Sequence, residues 1–545
     1  MFSQAFTTTG KPGFGRRRLG KPHKEIRLGR KRDVWLPFVS FVSSIALFGK
    51  RQRRMGKYRS ERMYRQYLIA IVIAAVASML AMGAVEHWKR LETGGGAPRA
   101  SSPGLAQPNV VLIVVDALRA DRLDAVRNGE PVMPKLARYG RENVRFMNAT
   151  TACTWTRPSM ASMLTSLYVD THQVYFGPDA RHPENEGPND RLPISCETLA
   201  TYLKKAGYST SAVQTNVNCA ASLGFAEGFD RYEELGAVTA DKVTDHALGQ
   251  LNESGAPFFL YVHYFDPHIP YDPPEAYRKI FGFPPSLPPE ELKIVTDFMD
   301  YFWDHIDHVT GHSDHRAFTE LSDAAKNAVR TLYDGESRFL DDELARLLEG
   351  IRVKQPNTVV VVTSDHGEHF WEHGRLGHGL TEYREELDVP LILSGPGQIP
   401  KAIVTPVETV DIVPTIAALL HLKPNPRWQG VNVFSRTEDR PAFSLTKGCW
   451  PAAHTDLGAV LQGSLKLIAD RRTGQVELYD LAGDARETRN IASDRPEDAE
   501  KLKALLAEHR TASMQARAAN PSTPSSASLL DPAIVEQLKA IGYIR

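Results

Sequence analysis

Short apolar runs that end in polar residues recur along the middle of the chain. The first covers residues 110–115 and is followed by Asp116. Similar runs begin after Pro257, Asn357 and Val389. A run of this length without regular polar alternation is typical of a strand that is buried on both faces, as in a parallel sheet.

Helical patterns lie between these runs, for example at residues 196–208 and 336–351. Strands that alternate with helices indicate an α/β domain with helices on both faces of its sheet. We therefore predict an α/β fold, with a doubly wound and mostly parallel sheet, over residues 109–435.

The pattern changes near residue 436. Residues 459–470 and 475–484 have the character of two antiparallel strands joined by a turn, and a helix follows them. This predicts a small C-terminal antiparallel α+β subdomain over residues 436–513. Residues 514–545, rich in Ala, Ser and Pro in their first part, are predicted to form a mobile tail with a terminal helix.

An uncharged apolar run at residues 67–85 predicts an N-terminal transmembrane helix, because a membrane span needs roughly 20 apolar residues. The preceding segment, 1–66, is rich in Lys and Arg, and the more positive flank of a span stays in the cytoplasm. The Gly- and Pro-rich linker at 92–108 and everything after it would then lie outside, in the periplasm or at the cell surface. A cleaved signal peptide is the alternative.

A second apolar stretch, at residues 34–49, is shorter and contains a proline. It fits an interfacial segment, a second span, or sequence upstream of a true start at Met55 or Met63. All three interpretations leave the residues from about 95 onward on the same side of the membrane.

Composition and charge narrow the choice of partners. The chain has 545 residues, of which 42% are hydrophobic, enough for a large core. Its 65 Lys and Arg residues balance 65 Asp and Glu residues, so we expect no nucleic-acid partner. The four cysteines match no zinc motif and are too few for a disulfide scaffold.

Metal-ligating side chains follow two of the predicted strands. Asp116 ends one run, and Asp365 and His366 end another. Ligands bind at the carboxyl ends of strands in open α/β sheets. Thr156 precedes an apolar helix, whose N-terminus favours an anion. Two carboxylates, an imidazole and a hydroxyl suit a divalent cation, which would activate the hydroxyl to attack a sulfate or phosphate ester.

Several longer stretches extend this pattern. They are NVVLIVVDALRADRL from Asn109, TRPSMASMLTS from Thr156, HYFDPHIPYDPP from His263, TSDHGEHFWEHG from Thr363 and ELYDLAGDARETRNIA from Glu477. In this order they resemble the sulfatase family of the alkaline phosphatase superfamily, over nearly all of residues 109–493. The resemblance implies an alkaline phosphatase-like fold, one divalent metal ion and a covalent sulfo- or phospho-enzyme intermediate.

The resemblance also implies which residue attacks. The family pattern is Cys or Ser, any residue, Pro, Ser, Arg. Thr156 fits it at Pro158 and Ser159, although Met160 replaces the arginine. Cys153 has Arg157 at the arginine position but Trp155 where proline is needed. Thr156 is therefore the expected nucleophile, and formylglycine formation at Cys153 is the alternative. A threonine here resembles the branch that handles phosphoethanolamine or phosphoglycerol head groups.

Departures from the family bear on the metal. Formylglycine sulfatases have two adjacent aspartates after the first strand, but Ala117 follows Asp116 here, and His366 stands where Asn is more usual. The expected metal ligands are Asp116, Thr156, Asp365 and His366. Fewer oxygens and an imidazole favour zinc or manganese over calcium, which takes about 6–8 oxygen ligands, with calcium and magnesium as alternatives.

Four further polar residues are candidates for contact with the substrate. By resemblance, His268 matches a histidine that contacts the ester. His378 could protonate the leaving oxygen. His263 and Asn216 are weaker candidates for substrate binding.

These observations predict a metal-dependent sulfatase-family hydrolase that cleaves sulfate or phosphate esters of a glycan, lipid or small molecule. One alternative is a phosphoethanolamine- or phosphoglycerol-type transferase that acts on a membrane lipid or glycan. The other is an inactive binding protein on the same fold.

Overall fold

The computed structural model describes residues 107–175, 190–310, 319–436, 440–447 and 455–519. The predicted transmembrane helix at 67–85, the apolar stretch at 34–49, the basic segment at 1–66, the linker up to residue 106 and the predicted terminal helix lie outside these residues. Within them, no helix has the length and apolar character of a membrane span.

An eight-stranded sheet forms the centre of the fold. In chain order its strands are β1 (Asn109–Val115), β2 (Val144–Phe146), β3 (Ser209–Gln214), β4 (Arg231–Glu234), β5 (Phe258–Tyr264), β6 (Thr358–Ser364), β7 (Leu391–Ser394) and β8 (Lys401–Ile403). The spatial order is β8-β2-β7-β6-β1-β5-β3-β4. Strand β7 is antiparallel to both neighbours, and the other pairs are parallel, so the mostly parallel sheet is confirmed.

Twelve helices are found among the described residues. They are α1 (Pro134–Glu142), α2 (Thr156–Thr165), α3 (Val169–His172), α4 (Leu199–Lys205), α5 (Ala240–Glu253), α6 (Glu275–Ile280), α7 (Pro289–Thr296), α8 (Phe298–Thr310), α9 (Asp323–Lys354), α10 (Arg384–Leu387), α11 (Ile412–Leu419) and α12 (Pro496–Ala519).

Helices cover both faces of the sheet, as the continuous apolar character of β1 predicts. Val111 and Ile113 pack in one core with α1, α5 and α9. Leu112 and Val114 pack in a second core with α2 and α4. Successive side chains of a strand point to opposite faces, so a strand that is apolar throughout must be covered twice. The doubly wound architecture is therefore confirmed.

The C-terminal subdomain is an antiparallel sheet of four strands, β9 (Ala442–Lys447), β10 (Asp456–Gln462), β11 (Leu465–Asp470) and β12 (Val476–Asp480). The prediction of one strand over residues 459–470 was wrong, because a hairpin turn at Gly463 divides it into β10 and β11. Helix α12 packs on this sheet and continues to Ala519, past residue 513.

Candidate active site

The two predicted aspartates meet because their strands are neighbours in register. Val115 at the end of β1 pairs with Ser364 at the end of β6, so Asp116 and Asp365 leave the sheet side by side. The Ser364 hydroxyl lies 2.7 Å from the Val115 carbonyl and accepts from the Leu118 N–H at 3.0 Å. These bonds hold the two strand ends together, and both carboxylates are completely buried.

His366 faces both carboxylates. Its Nε2 lies 3.6 Å from Asp116 Oδ1 and 3.4 Å from Asp365 Oδ2. Its Nδ1 is 2.8 Å from the Gly367 carbonyl, a bond in which the nitrogen must donate. Burial lowers the pKa of His366 despite the nearby charge of Asp365, so the ring is held neutral. A neutral ring that donates from Nδ1 presents the lone pair of Nε2 to the carboxylates.

Thr156 completes this group. It is the first residue of helix α2, not the residue before it as the sequence suggested, because Trp155 is the N-cap. The Thr156 hydroxyl is 3.3 Å from His366 Nε2 and 3.4 Å from Asn216 Nδ2. Asn216 also donates to Asp116 Oδ2. Thr156 thus lies where the N-terminus of α2 attracts negative charge.

Cys153 lies apart from this group. Its side chain is completely buried against Trp155, Val169 and Leu445. Its Sγ is 3.7 Å from the Thr446 hydroxyl. Burial, and next the charge of Glu382, raise the pKa of the Cys153 thiol far above its usual value. This environment is that of a packed, inert thiol.

His378 and His268 lie next to the metal-ligand candidates. The His378 ring centroid is 4.3 Å from that of His366 and 5.0 Å from that of His268. Its Nδ1 lies 3.0 Å from Glu368 Oε1. Burial alone would lower the pKa of His378, but the charge and hydrogen bond of Glu368 outweigh it and raise the pKa. The pKa of His268 is well below its usual value, mainly through burial and the neighbouring His378.

Sequence reasoning missed Glu368. The only signal for it is its position two residues after His366, on the loop that leaves the same strand.

His263 lies closer to the carboxylates than a purely substrate-binding residue would need to. Its Nε2 is 3.7 Å from Asp116 Oδ2, and its Nδ1 is 2.9 Å from the Tyr261 hydroxyl. Burial lowers the pKa of His263 to about 4. Asp116, His263 and Asp365 each offer one ligand atom, and these atoms all lie within 4.8 Å of one another.

The site has the chemistry that a divalent cation requires. Asp116 Oδ1, Asp365 Oδ2 and His263 Nε2 are buried and make no hydrogen bond to any residue that the structure describes. Burial, and next the charge of Asp365, raise the pKa of Asp116 well above its usual value. A cation would offset both the desolvation and the repulsion of these carboxylates. The residues present therefore fit a metal ion.

All the site residues predicted from the sequence are brought together at this edge of the sheet, and none lies elsewhere. A model of the sulfatase family matches residues 108–422 of the chain. This protein belongs to the sulfatase family. It is accordingly a sulfatase-family ester hydrolase.

Individual relatives of this sulfatase-family chain are distant. A choline-sulfatase from Rhizobium meliloti (strain 1021) is 23% identical over 450 residues, covering 71% of this chain and 83% of that protein. The multifunctional alkaline phosphatase superfamily protein PehA from Trinickia caryophylli is 26% identical over 381 residues, covering 57% and 73%. The solved phosphonate monoester hydrolase from Silicibacter pomeroyi has a TM-score of 0.59 at 21% identity, covering 75% of this chain and 96% of that one, which shows a shared fold.

Proposed function

We propose that this protein is a metal-dependent hydrolase in which Thr156 attacks the sulfur or phosphorus of a sulfate or phosphate ester. The contrast between Thr156 and Cys153 carries the proposal. The Thr156 hydroxyl lies 3.3 Å from His366 Nε2, among buried carboxylates, while the Cys153 thiol packs among apolar side chains. Only the hydroxyl is placed to act with a bound cation.

The first half of the reaction transfers the sulfuryl or phosphoryl group to the protein. A divalent cation held by Asp116, Asp365 and His366 would lower the pKa of the attacking hydroxyl and polarise the ester. Thr156 reacts as the alkoxide, after its hydroxyl proton has passed to solvent, and the bond from its Oγ to sulfur or phosphorus forms as the bond to the alcohol oxygen breaks. The leaving oxygen takes a proton from His378, whose pKa is raised by the charge and hydrogen bond of Glu368.

The second half regenerates the protein. Water attacks the sulfo- or phospho-threonine, the bond to Thr156 Oγ breaks, and sulfate or phosphate leaves. The water gives one proton to His378, which is neutral after the first half. His268, 5.0 Å away between ring centroids, lies where it can contact the transferred group.

The names of the relatives point to two classes of substrate, sulfate esters and phosphonate esters. One is named for choline sulfate hydrolysis, and a protein with the same fold is named for phosphonate monoesters. We include both sulfate and phosphate or phosphonate esters, of a glycan, lipid or small molecule. If an alcohol takes the place of water in the second half, the same residues perform transfer to an acceptor, which is the alternative activity.

The test compares two variants of the full-length purified chain. Aryl sulfate, phosphate and phosphonate esters are assayed with zinc, manganese, calcium and magnesium. Thr156→Ala is expected to lower kcat/KM by more than about 1000-fold, which corresponds to a loss of roughly 4 kcal/mol or more. Cys153→Ser should retain activity within about threefold, since the thiol takes no part in the proposed reaction.

Mass spectrometry provides the independent readout. The peptide that contains Cys153 and Thr156 should show an unmodified cysteine and, after quenching during turnover, a sulfo- or phospho-threonine. Loss of the thiol with gain of an aldehyde would make Cys153 the nucleophile and overturn the proposal.

We also propose that the catalytic domain lies outside the cytoplasm, tethered by residues 67–85. The uncharged run and the basic segment before it support this orientation. A reporter that is active only outside the cytoplasm, fused after residue 100, should give signal. Signal from a cytoplasm-specific reporter at the same position would reverse the orientation.

A further inference from the structure

The second carboxylate of the sulfatase pattern is missing from this chain. Ala117 stands in the position after Asp116, with a left-handed φ of 54°. Its backbone N–H donates to Asp365 Oδ1 at 3.2 Å. Ala117 therefore helps to orient a ligand but has no side-chain oxygen to offer, and its carbonyl accepts from the Tyr333 hydroxyl. Any further metal ligand comes from another element.

Strand β5 brings His263 to the same place. β5 lies beside β1, with His263 paired to Val114, two residues before Asp116. The His263 side chain is completely buried. Its Nε2 is directed at Asp116 Oδ2, 3.7 Å away, and makes no hydrogen bond within the described part of the chain. A buried nitrogen without a hydrogen bond is costly unless something else binds it.

The other ring nitrogen of His263 has a partner that suits metal binding. The Tyr261 hydroxyl lies 2.9 Å from Nδ1. An Nδ1–H that donates to the Tyr261 oxygen leaves the Nε2 lone pair facing Asp116. Metal-ligating histidines are commonly fixed in this way by a partner on the second nitrogen.

The spacing of the ligand atoms fits a common ion. Two atoms bound at about 2.1 Å in a tetrahedral arrangement are about 3.4 Å apart. His366 Nε2 lies 3.4 Å from Asp365 Oδ2 and 3.6 Å from Asp116 Oδ1, and His263 Nε2 lies 3.7 Å from Asp116 Oδ2. The separations from the two histidines run to different oxygens of Asp116, Oδ1 for His366 and Oδ2 for His263. They are longer than hydrogen bonds, and one ligand atom each from Asp116, His263 and Asp365 lie within 4.8 Å of one another.

We propose that His263 is a metal ligand that takes the place of the missing aspartate. It joins Asp116, Asp365 and His366, and the hydroxyl of Thr156 would approach as a fifth ligand, an expansion that catalytic zinc sites undergo during reaction. Two imidazoles and two carboxylates select a zinc-like ion over calcium, which prefers oxygen ligands throughout. The inference rests on the metal dependence of the proposed function and adds to it the identity of a ligand and the class of ion.

Metal binding by the full-length chain tests this directly. Zn²⁺ affinity is measured by competition with a chelator, and Co²⁺ is bound in place of zinc to record its visible absorption. His263→Gln should lower Zn²⁺ affinity by more than about 100-fold, beyond the 10–100-fold that follows loss of an outer partner. It should also change the Co²⁺ spectrum, because an imidazole nitrogen leaves the ion.

His172→Gln is the matched control. His172 is equally buried but lies in α3, where its Nε2 is 2.8 Å from the Ser162 hydroxyl. It should leave Zn²⁺ affinity and the Co²⁺ spectrum unchanged, while it reports the stability cost of replacing a buried histidine. Unchanged affinity and an unchanged Co²⁺ spectrum in folded His263→Gln would overturn the inference. If the parent chain binds no divalent ion, the proposed metal dependence itself fails, which is a different result.

A rescue variant separates the loss of a ligand from a loss of folding, because recovered binding requires a folded chain. Ala117→Asp in the His263→Gln background restores the family's second carboxylate. It should recover metal binding but shift the preference from Zn²⁺ towards Ca²⁺ by at least about tenfold, as oxygen replaces nitrogen. Recovery with no change in preference would mean that His263 does not set the choice of ion.

Discussion

His366 and His369 are both completely buried and only three residues apart, yet their surroundings favour opposite charges. Burial lowers the pKa of His366. Burial also acts to lower the pKa of His369, but the nearby carboxylates of Glu372 and Glu386 outweigh it and raise the pKa to about 9. His369 Nε2 lies 3.2 Å from Glu386 Oε1. His369 is thus a cation at neutral pH, held in the folded protein by its carboxylate partners.

This difference predicts how stability depends on pH. The raised pKa of His369 contributes stability that is fully present below pH 6.5, the unfolded value, and is lost as the pH rises through about 9. The contribution is about 3 kcal/mol at its maximum. Denaturant unfolding from pH 6 to pH 10 should therefore show a steeper loss of stability in the parent chain than in His369→Gln. Parallel curves for the two proteins would contradict the assignment.

At the scale of single residues, the sequence predicts that Asp116, Asp365 and His366 lie together in one site. Each follows an apolar run, and the carboxyl ends of parallel strands share one edge of a sheet. It could not rank His263 above other histidines, because its role depends on β5 being next to β1. The signal was present in the strand itself, where a lone histidine interrupts a fully buried run near its carboxyl end. Glu368 was missed because its partner, His378, is ten residues further on.

At the scale of elements, hydrophobic pattern predicts burial but not direction. The run in β7 resembles those of β1 and β6, yet β7 is antiparallel to both its neighbours. The direction of a strand depends on how the chain connects it to its neighbours, and the residues of the strand itself do not reveal this. The hairpin of β10 and β11 was missed for a different reason. The sequence prediction places Gly463 and Ser464 inside one strand. A glycine at the first position of a two-residue loop is, however, a known hairpin signal.

Gly463 is therefore the residue on which this hairpin depends. Its φ is 62°, in the left-handed region, and nothing lies within 4 Å of a Cβ built there. Gly463→Ala should destabilise the protein through backbone strain alone, by about 1 kcal/mol. Ser464→Ala, at the other position of the turn, should be within about 0.5 kcal/mol of the parent chain. Equal midpoints for the two variants in denaturant unfolding would show that the turn is not strained.

At the scale of the whole molecule, a buried network of ion pairs and hydrogen bonds links the catalytic domain to the C-terminal sheet. The side chain of Arg436 is completely buried and lies 2.6 Å from both Glu408 Oε2 and Asp411 Oδ2. Glu408 also accepts from the Phe443 N–H of β9 at 2.7 Å and from the Tyr168 hydroxyl at 2.9 Å. One arginine thus holds together a set of carboxylates contacted by both parts of the chain.

Removal of this arginine should be costly. Arg436→Met leaves two buried carboxylates without their cation, and breaking a buried pair in this way costs about 3–5 kcal/mol. Arg489→Met, which removes the exposed pair with Asp494, should cost no more than about 1 kcal/mol. Unfolding by denaturant compares the two variants. Similar losses for both would mean that the buried network contributes no more than a surface pair.

The direction of β1 has a practical consequence for how the protein is handled. Its seven residues separate Asn109 from Asp116 by about 23 Å, at about 3.3 Å per residue. An affinity handle joined just ahead of Gln107 meets the domain at the edge of the sheet remote from Thr156. Coupling the domain to a bead or sensor chip through that end would leave the reacting edge turned towards the flowing solution. The support would then not obstruct access of a substrate to the edge that carries Asp116 and Asp365.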